Sequence, residues 1–175
     1  MKTLAACTAV SVMVANVAFA EPVEIMLSDR LDGDLDYYCL DISGAKENAN
    51  IDGGLQTHTC YGYQGEAGID QIFDADLFGR NALYMTEFEV CATLSSTDAG
   101  TPVGLAACDE SESQQIAFTA DGQLSPVSAP GMCFTAGEDT RRGRGGTSEH
   151  QIKSLTLESC SEDLAQYQSW EPRAQ

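Results

Sequence analysis

The sequence has few basic residues for its length. Nine lysines and arginines stand against 27 aspartates and glutamates in 175 residues, which gives a formal net charge of −18. Nucleic acid and anionic lipid would be repelled by so acidic a surface, and we exclude both as partners. The hydrophobic fraction of 43% is nevertheless ordinary for a globular protein. The length is that of a single domain.

The motifs of catalysis and of metal binding are also missing. The sequence contains only two histidines, His58 and His150, and it has no Cys-x-x-Cys pair and no Gly-x-Ser-x-Gly segment. Residues 29–36 carry alternating carboxylates, but they lack the glycine and the closing glutamate of an EF-hand. We therefore predict that the protein is not an enzyme, that it holds no metal or other cofactor, and that this acidic segment is solvated.

The first twenty residues have the features of a signal peptide. Lys2 precedes an apolar stretch that ends on Ala18-Phe19-Ala20, with small residues at the two positions that a signal peptidase requires. We predict a signal peptide over 1–20 and a mature domain over 21–175, exported to the periplasm or the medium, with a signal of bacterial type. No later segment is long and apolar enough to span a membrane.

Six cysteines remain once Cys7 is removed with the signal peptide, and an even number in an exported chain implies disulfides. The six fall into three successive pairs with separations of 21, 17 and 27 residues, although spacing alone does not decide which cysteines are joined. In each pair the first cysteine lies in a short strand-like run and the second ends another such run. A Gln-x-(large apolar) segment follows each pair: Gln71-Ile72-Phe73, Gln114-Gln115-Ile116 and Gln168-Ser169-Trp170.

The same pattern predicts an all-β domain. No stretch of the mature chain keeps apolar residues at helical spacing over three turns, and the short runs are separated by turn dipeptides such as Gly53-Gly54. Three copies of a unit of about four strands favour a closed arrangement, because closure removes exposed sheet edges.

The three cysteine pairs with their Gln-x-Trp-like endings resemble the ricin B-type lectin family. That family folds as a β-trefoil, so the resemblance implies three pseudo-symmetric repeats, at about 23–80, 81–124 and 125–175. It also implies one disulfide inside each repeat: Cys39–Cys60, Cys91–Cys108 and Cys133–Cys160. Only the last repeat keeps the tryptophan, as Trp170. Phe73 and Ile116 replace it in the other two, where an apolar residue preserves the core.

In this family each repeat can hold one sugar, through an Asp after the first cysteine, a ring before the second and a polar pair ending in Gln. The first repeat fits this pattern best, with Asp41, His58, Asp70 and Gln71, and Tyr61 and Tyr63 add aromatic surface nearby. The other repeats lack the Asp and the ring, with Thr93, Ala106 and Ser113 in the second and Thr135, Glu158 and Tyr167 in the third. The resemblance therefore implies a secreted lectin with one carbohydrate site, for example for a galactose-type sugar.

Ordinary structural roles remain open for these residues. Asp41 can cap a turn, His58 can be a solvent-facing strand residue, and the three conserved glutamines are expected mainly to bond the backbone.

A Gly-rich loop concentrates Arg141, Arg142 and Arg144. This loop is either solvated or engaged with an acidic group, on a partner or on the same molecule. The alternative function is accordingly a degenerate β-trefoil that acts as a protein-interaction or inhibitory module. A glycosidase is a third option that no motif supports.

Overall fold

The computed structural model describes residues 21–62 and 68–174. The predicted signal peptide and Tyr63 lie outside these residues. Within them the secondary structure consists of short strands and of helical turns. The strands are β1 (Pro22–Leu27), β2 (Tyr38–Ile42), β3 (Leu55–Thr59), β4 (Ile72–Asp74), β5 (Tyr84–Met85), β6 (Val90–Leu94), β7 (Thr101–Ala107), β8 (Ile116–Phe118), β9 (Leu124–Pro126), β10 (Met132–Ala136), β11 (Arg141–Arg142), β12 (Gln151–Lys153), β13 (Leu155–Ser159) and β14 (Trp170–Ala174). The α-helical turns are α1 (Gly143–Gly146), which is interrupted by left-handed backbone at Arg144 and Gly145, and α2 (Ala165–Gln168). The 3-10 turns are Lys46–Asn48, Ile51–Gly53, Ile69–Gln71, Ala75–Arg80, Glu112–Gln114 and Glu162–Leu164.

A unit of four strands recurs three times along the chain. Its members are β1 to β4, then β5 to β8, then β9, β10, β13 and β14, and the third unit carries an additional hairpin, β11–β12. The first cysteine of each pair lies in the second strand of its unit, and the second cysteine directly follows the third strand. The prediction of short strands around the cysteines is therefore confirmed.

Strand pairing joins the beginning of the domain to its end. Antiparallel pairing links β1 to β14, to β2 and to β4. A second sheet has the order β10-β13-β7-β6-β5, and β8 pairs with β9. The extra hairpin also pairs outside its own repeat, because β12 lies between β11 and β3 of the first repeat.

One disulfide closes the central hairpin of each repeat. The three disulfides join Cys39 to Cys60, Cys91 to Cys108 and Cys133 to Cys160, which is the pairing that the resemblance implied. Loops of this length stabilise the folded state by roughly 3 kcal/mol each, because the cross-link restricts the unfolded chain.

The apolar residues of the three Gln-x-(large apolar) segments meet in one core. Phe73 and Ile116 are fully buried and Trp170 is 1% exposed, so the replacement of tryptophan in two repeats leaves the position inside the core. The indole N–H of Trp170 donates to the backbone O of Phe134 at 3.1 Å, which satisfies its one polar group.

The glutamines that recur in the three Gln-x-(large apolar) segments bond the backbone on either side of the second cysteine of each repeat. In each repeat the side-chain amide N donates to the carbonyl O of the preceding residue, and the amide O accepts from the N–H of the following one. The partners are Thr59 and Tyr61 for Gln71, Ala107 and Asp109 for Gln114, and Ser159 and Ser161 for Gln168. The backbone-bonding role expected of these glutamines is confirmed.

The acidic segment 29–36 is exposed but anchored. Asp32 contacts Lys153, Asp34 contacts Arg142 and Asp36 contacts Arg173, all three of them partners from the third repeat. No cluster of His, Cys, Asp and Glu suited to a metal ion occurs within residues 21–62 and 68–174. No helix in the same part of the chain is long and apolar enough to cross a membrane.

Candidate functional site

A cleft of about 870 Å³ lies between the first repeat and the β11–β12 hairpin of the third. Gln56, His58 and Tyr61 form one side, the turn after β2 forms another, and the hairpin faces them both. The cleft exists because β12 lies alongside β3, with Ile152 opposite His58. Residues from two ends of the domain therefore share one concave surface.

A buried lysine fixes the hairpin. The side chain of Lys153 is 2% exposed, and its Nζ donates to the carbonyl O of Glu138 at 2.9 Å and to Thr140 Oγ1 at 2.7 Å. Its Nζ also lies 2.9 Å from Asp32 Oδ1. Burial raises the pKa of Asp32, but hydrogen bonds from Thr140, Lys153 and Tyr38 outweigh it and lower the pKa to about 2. The buried ammonium group of Lys153 thus holds the hairpin in place through its bonds to Asp32, Glu138 and Thr140.

Three rings gather on one side of the cleft. The centroids of His58 and Tyr61 are 5.0 Å apart, those of His58 and His150 are 5.1 Å apart, and those of Tyr61 and His150 are 5.4 Å apart. His58 and Tyr61 were predicted site residues, whereas His150 was not predicted and comes from the third repeat. Tyr63 lies outside the described residues.

His58 is a neutral ring at physiological pH. Burial lowers its pKa to about 4, against the opposing effect of a hydrogen bond to the backbone. Its Nδ1 lies 2.8 Å from the carbonyl O of Thr59, and because a carbonyl only accepts, we assign the proton to Nδ1. His58 is 7% exposed, so it is not a solvent-facing strand residue, and its uncharged imidazole lines the cleft.

Asp41 lies behind the wall of the cleft and not on its surface. The residue is 1% exposed, and its two carboxylate oxygens accept from Gln56 Nε2 at 2.9 Å and from Gln71 Nε2 at 3.1 Å. Burial raises the pKa of Asp41 to about 8, although the two hydrogen bonds oppose the shift. The sequence suggested direct contact between Asp41 and a ligand; in this geometry Gln56 stands between them.

Gln56 links Asp41 to the hairpin. Its amide O accepts from Arg141 Nη2 at 2.7 Å while its amide N donates to Asp41. The result is a line of hydrogen bonds from Arg141 through Gln56 and Asp41 to Gln71. Neither Gln56 nor its contact with Arg141 was foreseen, because 85 residues separate the two along the chain.

Asp70 lines the cleft and organises the turn next to it. The residue is 1% exposed, and its Oδ1 accepts from the backbone N of Lys46 at 2.8 Å. Lys46 has a φ of 48°, in the left-handed region that non-glycine residues seldom adopt. The hydrogen bond to Asp70 therefore holds Lys46 in the conformation that puts it on the cleft wall.

The three arginines of the hairpin have separate surroundings. Arg142 pairs with Asp34 and donates to the carbonyl O of Glu149, so it binds an acidic group of the same molecule. Arg141 and Arg144 line the cleft. Arg141 and Arg142 are exposed, as expected of a solvated segment, but they belong to strand β11 and not to a loop.

The positions equivalent to the site residues carry different side chains in the other two repeats. Thr135 stands where the first repeat has Asp41, and its Oγ1 accepts from Gln168 Nε2 at 2.9 Å. A second cleft, of about 700 Å³, lies beside the second repeat and is lined in part by Tyr84, Glu89 and Gln114. Its lining does not include Thr93 or Ala106, the counterparts of Asp41 and His58.

Comparison with known proteins identifies sequence similarity over part of the chain. The family model for the ricin-type beta-trefoil lectin domain matches residues 80–175, just over half of the chain. The match covers the second and third repeats, whereas the cleft lies largely against the first. No curated protein matches the chain.

Solved structures match over most of the chain. A mutant of the earthworm lectin C-terminal domain, in complex with 6'-sialyllactose, has a TM-score of 0.63 at 11% identity and covers 89% of this chain and 99% of its own. A non-toxic type II RIP homologue from Momordica charantia, in complex with α-methyl-D-galactoside, has a TM-score of 0.56 at 17% identity, over 87% of this chain and 47% of its own. The designed 3-fold symmetric protein ThreeFoil has a TM-score of 0.60 at 16% identity and covers 89% of this chain and 99% of its own. At such identities the likeness concerns the fold, and it confirms the predicted β-trefoil.

Proposed function

The chain belongs to the ricin-type beta-trefoil lectin domain family, and on that basis we propose that it is an exported carbohydrate-binding module with one sugar site, in the first-repeat cleft. The observation that carries the proposal is the meeting of His58, Tyr61 and Asp70 on one concave surface. The resemblance implied His58 and Asp70 at a sugar site, and Tyr61 was expected to add aromatic surface beside them. A cleft with ring surfaces and a few convergent polar groups is typical of sites for small ligands.

The cleft offers the two kinds of contact that a sugar requires. The rings of His58, Tyr61 and His150 form a surface for the apolar face of a pyranose. Asp70 brings a carboxylate, and carboxylates form the stronger hydrogen bonds to hydroxyl groups. Two residues behind the wall would support the site. Asp41 would orient Gln56, and Gln71 would hold the backbone of Tyr61.

A galactose-type sugar is the first candidate ligand. The earthworm domain is described with 6'-sialyllactose and the Momordica protein with α-methyl-D-galactoside, and both have the fold of this chain. We propose binding alone, without a cofactor or bond cleavage. Asp41, enclosed by amide donors, lies out of reach of a ligand in the cleft.

A glycan array with the mature chain and two variants tests the proposal. We expect His58→Ala to weaken sugar binding by about tenfold or more, because it removes the central ring of the cleft. Glu158→Ala is the matched control, since Glu158 occupies the equivalent position in the third repeat, and it should leave binding unchanged.

A silent array, or one on which His58→Ala behaves like the wild type, would contradict the sugar site. Capture of a protein partner from the exported fraction that free galactose does not displace would instead favour the protein-interaction alternative. Deletion of residues 141–146 should then weaken that capture.

A further inference from the structure

The basic residues of this acidic chain are distributed unevenly. In the part of the chain that the structure describes, four of them form ion pairs: Arg80 with Glu110, Arg142 with Asp34, Lys153 with Asp32, and Arg173 with Glu24 and Asp36. Arg30 donates to the backbone carbonyls of Gly33 and Asp34. The other three, Lys46, Arg141 and Arg144, all line the first-repeat cleft. None of these three forms an ion pair with a described residue.

Arg141 shows how the cleft keeps its positive charge. Its guanidinium bonds to the amide O of Gln56 and not to a carboxylate, so the contact fixes its position without neutralising it. A guanidinium carries five N–H donors, and the Gln56 contact uses Nη2 alone. Donors therefore remain for a ligand.

The carboxylates around the cleft do not cancel this charge. Asp70 and Glu149 line it together with the three cationic side chains. Asp70 is buried and turns one oxygen to the backbone N–H of Lys46, while Glu149 is exposed. Asp41 lies behind the wall, where burial disfavours its charged form. The cleft is thus cationic by formal charge in a chain of net charge −18.

Arg144 adds a conformational observation. Its φ of 50° is left-handed, and Gly145 and Gly146 follow with φ of 63° and 95°. A left-handed arginine costs about 1 kcal/mol, and such strain is concentrated at binding and catalytic sites. Here the strained residue lies on the wall of the cleft, beside a run of glycines that lets the chain turn.

We propose that the cleft selects a carboxylate-bearing sugar, a uronic-acid type of glycan, with Arg141 and Arg144 binding the carboxylate and the ring cluster binding the sugar. The inference rests on the proposed function and names its substrate class. Arginine suits the role because its fork of donors matches the two oxygens of a carboxylate. A neutral sugar would leave those donors unused.

The test compares two sugars that differ only at C6, D-galacturonate and D-galactose, by calorimetric titration of the mature chain at low salt. We expect galacturonate to bind about tenfold more tightly, and its advantage to shrink as added salt screens the charges. Arg144→Gln should reduce the advantage of galacturonate over galactose by about threefold or more. Arg80→Gln removes the same charge elsewhere and should leave that advantage unchanged. Galactose-6-sulfate distinguishes a carboxylate site from a general anion site.

The outcomes separate this inference from the proposed function. Equal affinity for the two sugars, an unaffected Arg144→Gln variant, or a preference for the sulfate would overturn the carboxylate assignment and leave sugar binding in place. An absence of binding by both sugars, with signals on the glycan array, would also overturn the assignment alone. If the array is silent as well, the sugar site fails and the inference fails with it.

Discussion

Asp41 differs from its counterparts in the other repeats in being a carboxylate within the core. The second and third repeats have Thr93 and Thr135 at this position, and Thr135 satisfies the adjacent glutamine with a hydroxyl. The first repeat uses a carboxyl group for a similar contact and surrounds it with two amide donors. This substitution makes the stability of the protein depend on pH.

We predict that Asp41→Thr flattens part of the pH dependence of stability. Burial raises the pKa of Asp41 in the folded protein to about 8, so between about pH 4 and pH 8 the folded state holds a proton that the unfolded state has released. The wild type should therefore lose up to roughly 1.4 kcal/mol per pH unit as the pH rises through this window. The threonine variant should not, so its stability relative to the wild type should increase from pH 5 to pH 8.

Urea unfolding at several pH values measures this difference. Asp121→Thr, on an exposed turn, is the control for the same exchange of side chain at the surface. A stability difference between Asp41→Thr and the wild type that stays constant across the window would contradict the raised pKa of Asp41.

The positions of individual site residues could be predicted to different extents. The register of the cysteines predicts His58 and Tyr61, the Gln-x-(large apolar) segment predicts Asp70, and the structure brings all three to one cleft. The burial of Asp41 could not be read from spacing, because it depends on Gln56 and Arg141, which the fold brings in from a neighbouring strand and from another repeat.

Among the elements, the central hairpin of the first repeat is built around a close approach to the second repeat. Gly54 precedes β3 with a φ of 64° and a ψ of −158°, which is open mainly to glycine. A Cβ there would overlap the backbone O of Val103 in β7. The glycine is thus needed both for the turn and for the packing of two repeats.

We predict that Gly54→Ala destabilises the protein by about 2 kcal/mol or more, because the backbone strain and the overlap with Val103 act together. Gly79→Ala is the matched control, since a Cβ at Gly79 meets no atom within 4 Å and should change stability by less than about 1 kcal/mol. Thermal and urea unfolding of the two variants check the difference. Equal transitions would contradict the role assigned to Gly54.

The positions of the strands along the chain were more predictable than the pairing between strands. The short strand-like runs predicted around the first cysteines are the strands β2, β6 and β10 of the structure. The sequence predicts a loop over 141–146, because glycines and arginines have little preference for strands, whereas the structure begins the β11–β12 hairpin there. Its pairing with β3 depends on the buried Lys153 and on the acidic segment, both distant in sequence.

At the scale of the whole molecule, threefold repetition made the fold predictable. Three cysteine pairs in register, each followed by a glutamine and a large apolar residue, allow few other arrangements once the family is considered. The site was less predictable, because a threefold scaffold offers three equivalent positions and an insertion in one repeat decides which of them is enclosed.

We predict that the protein purified from the exported fraction of its host begins at Glu21 and has no free thiol. Cleavage after Ala20 removes Cys7, and the other six cysteines are joined in disulfides. N-terminal sequencing and alkylation under denaturing conditions, with and without reductant, measure both properties. Retention of Met1, or labelling of a cysteine without reductant, would contradict export through the predicted signal.

The pairing of β12 with β3 has a consequence for the order of folding. The residues of the cleft that belong to the first repeat are synthesised first, but the wall that encloses them is completed only when Lys153 has emerged, about a hundred residues after Thr57. The pairing of β1 with β14 forms later still, because β14 is the last strand to be synthesised. Folding with contacts so distant in sequence is slow, because long loops must close before the contacts form. The part of the site that is made first is therefore finished among the last, and a truncated chain would display His58 and Tyr61 without the surface that encloses them.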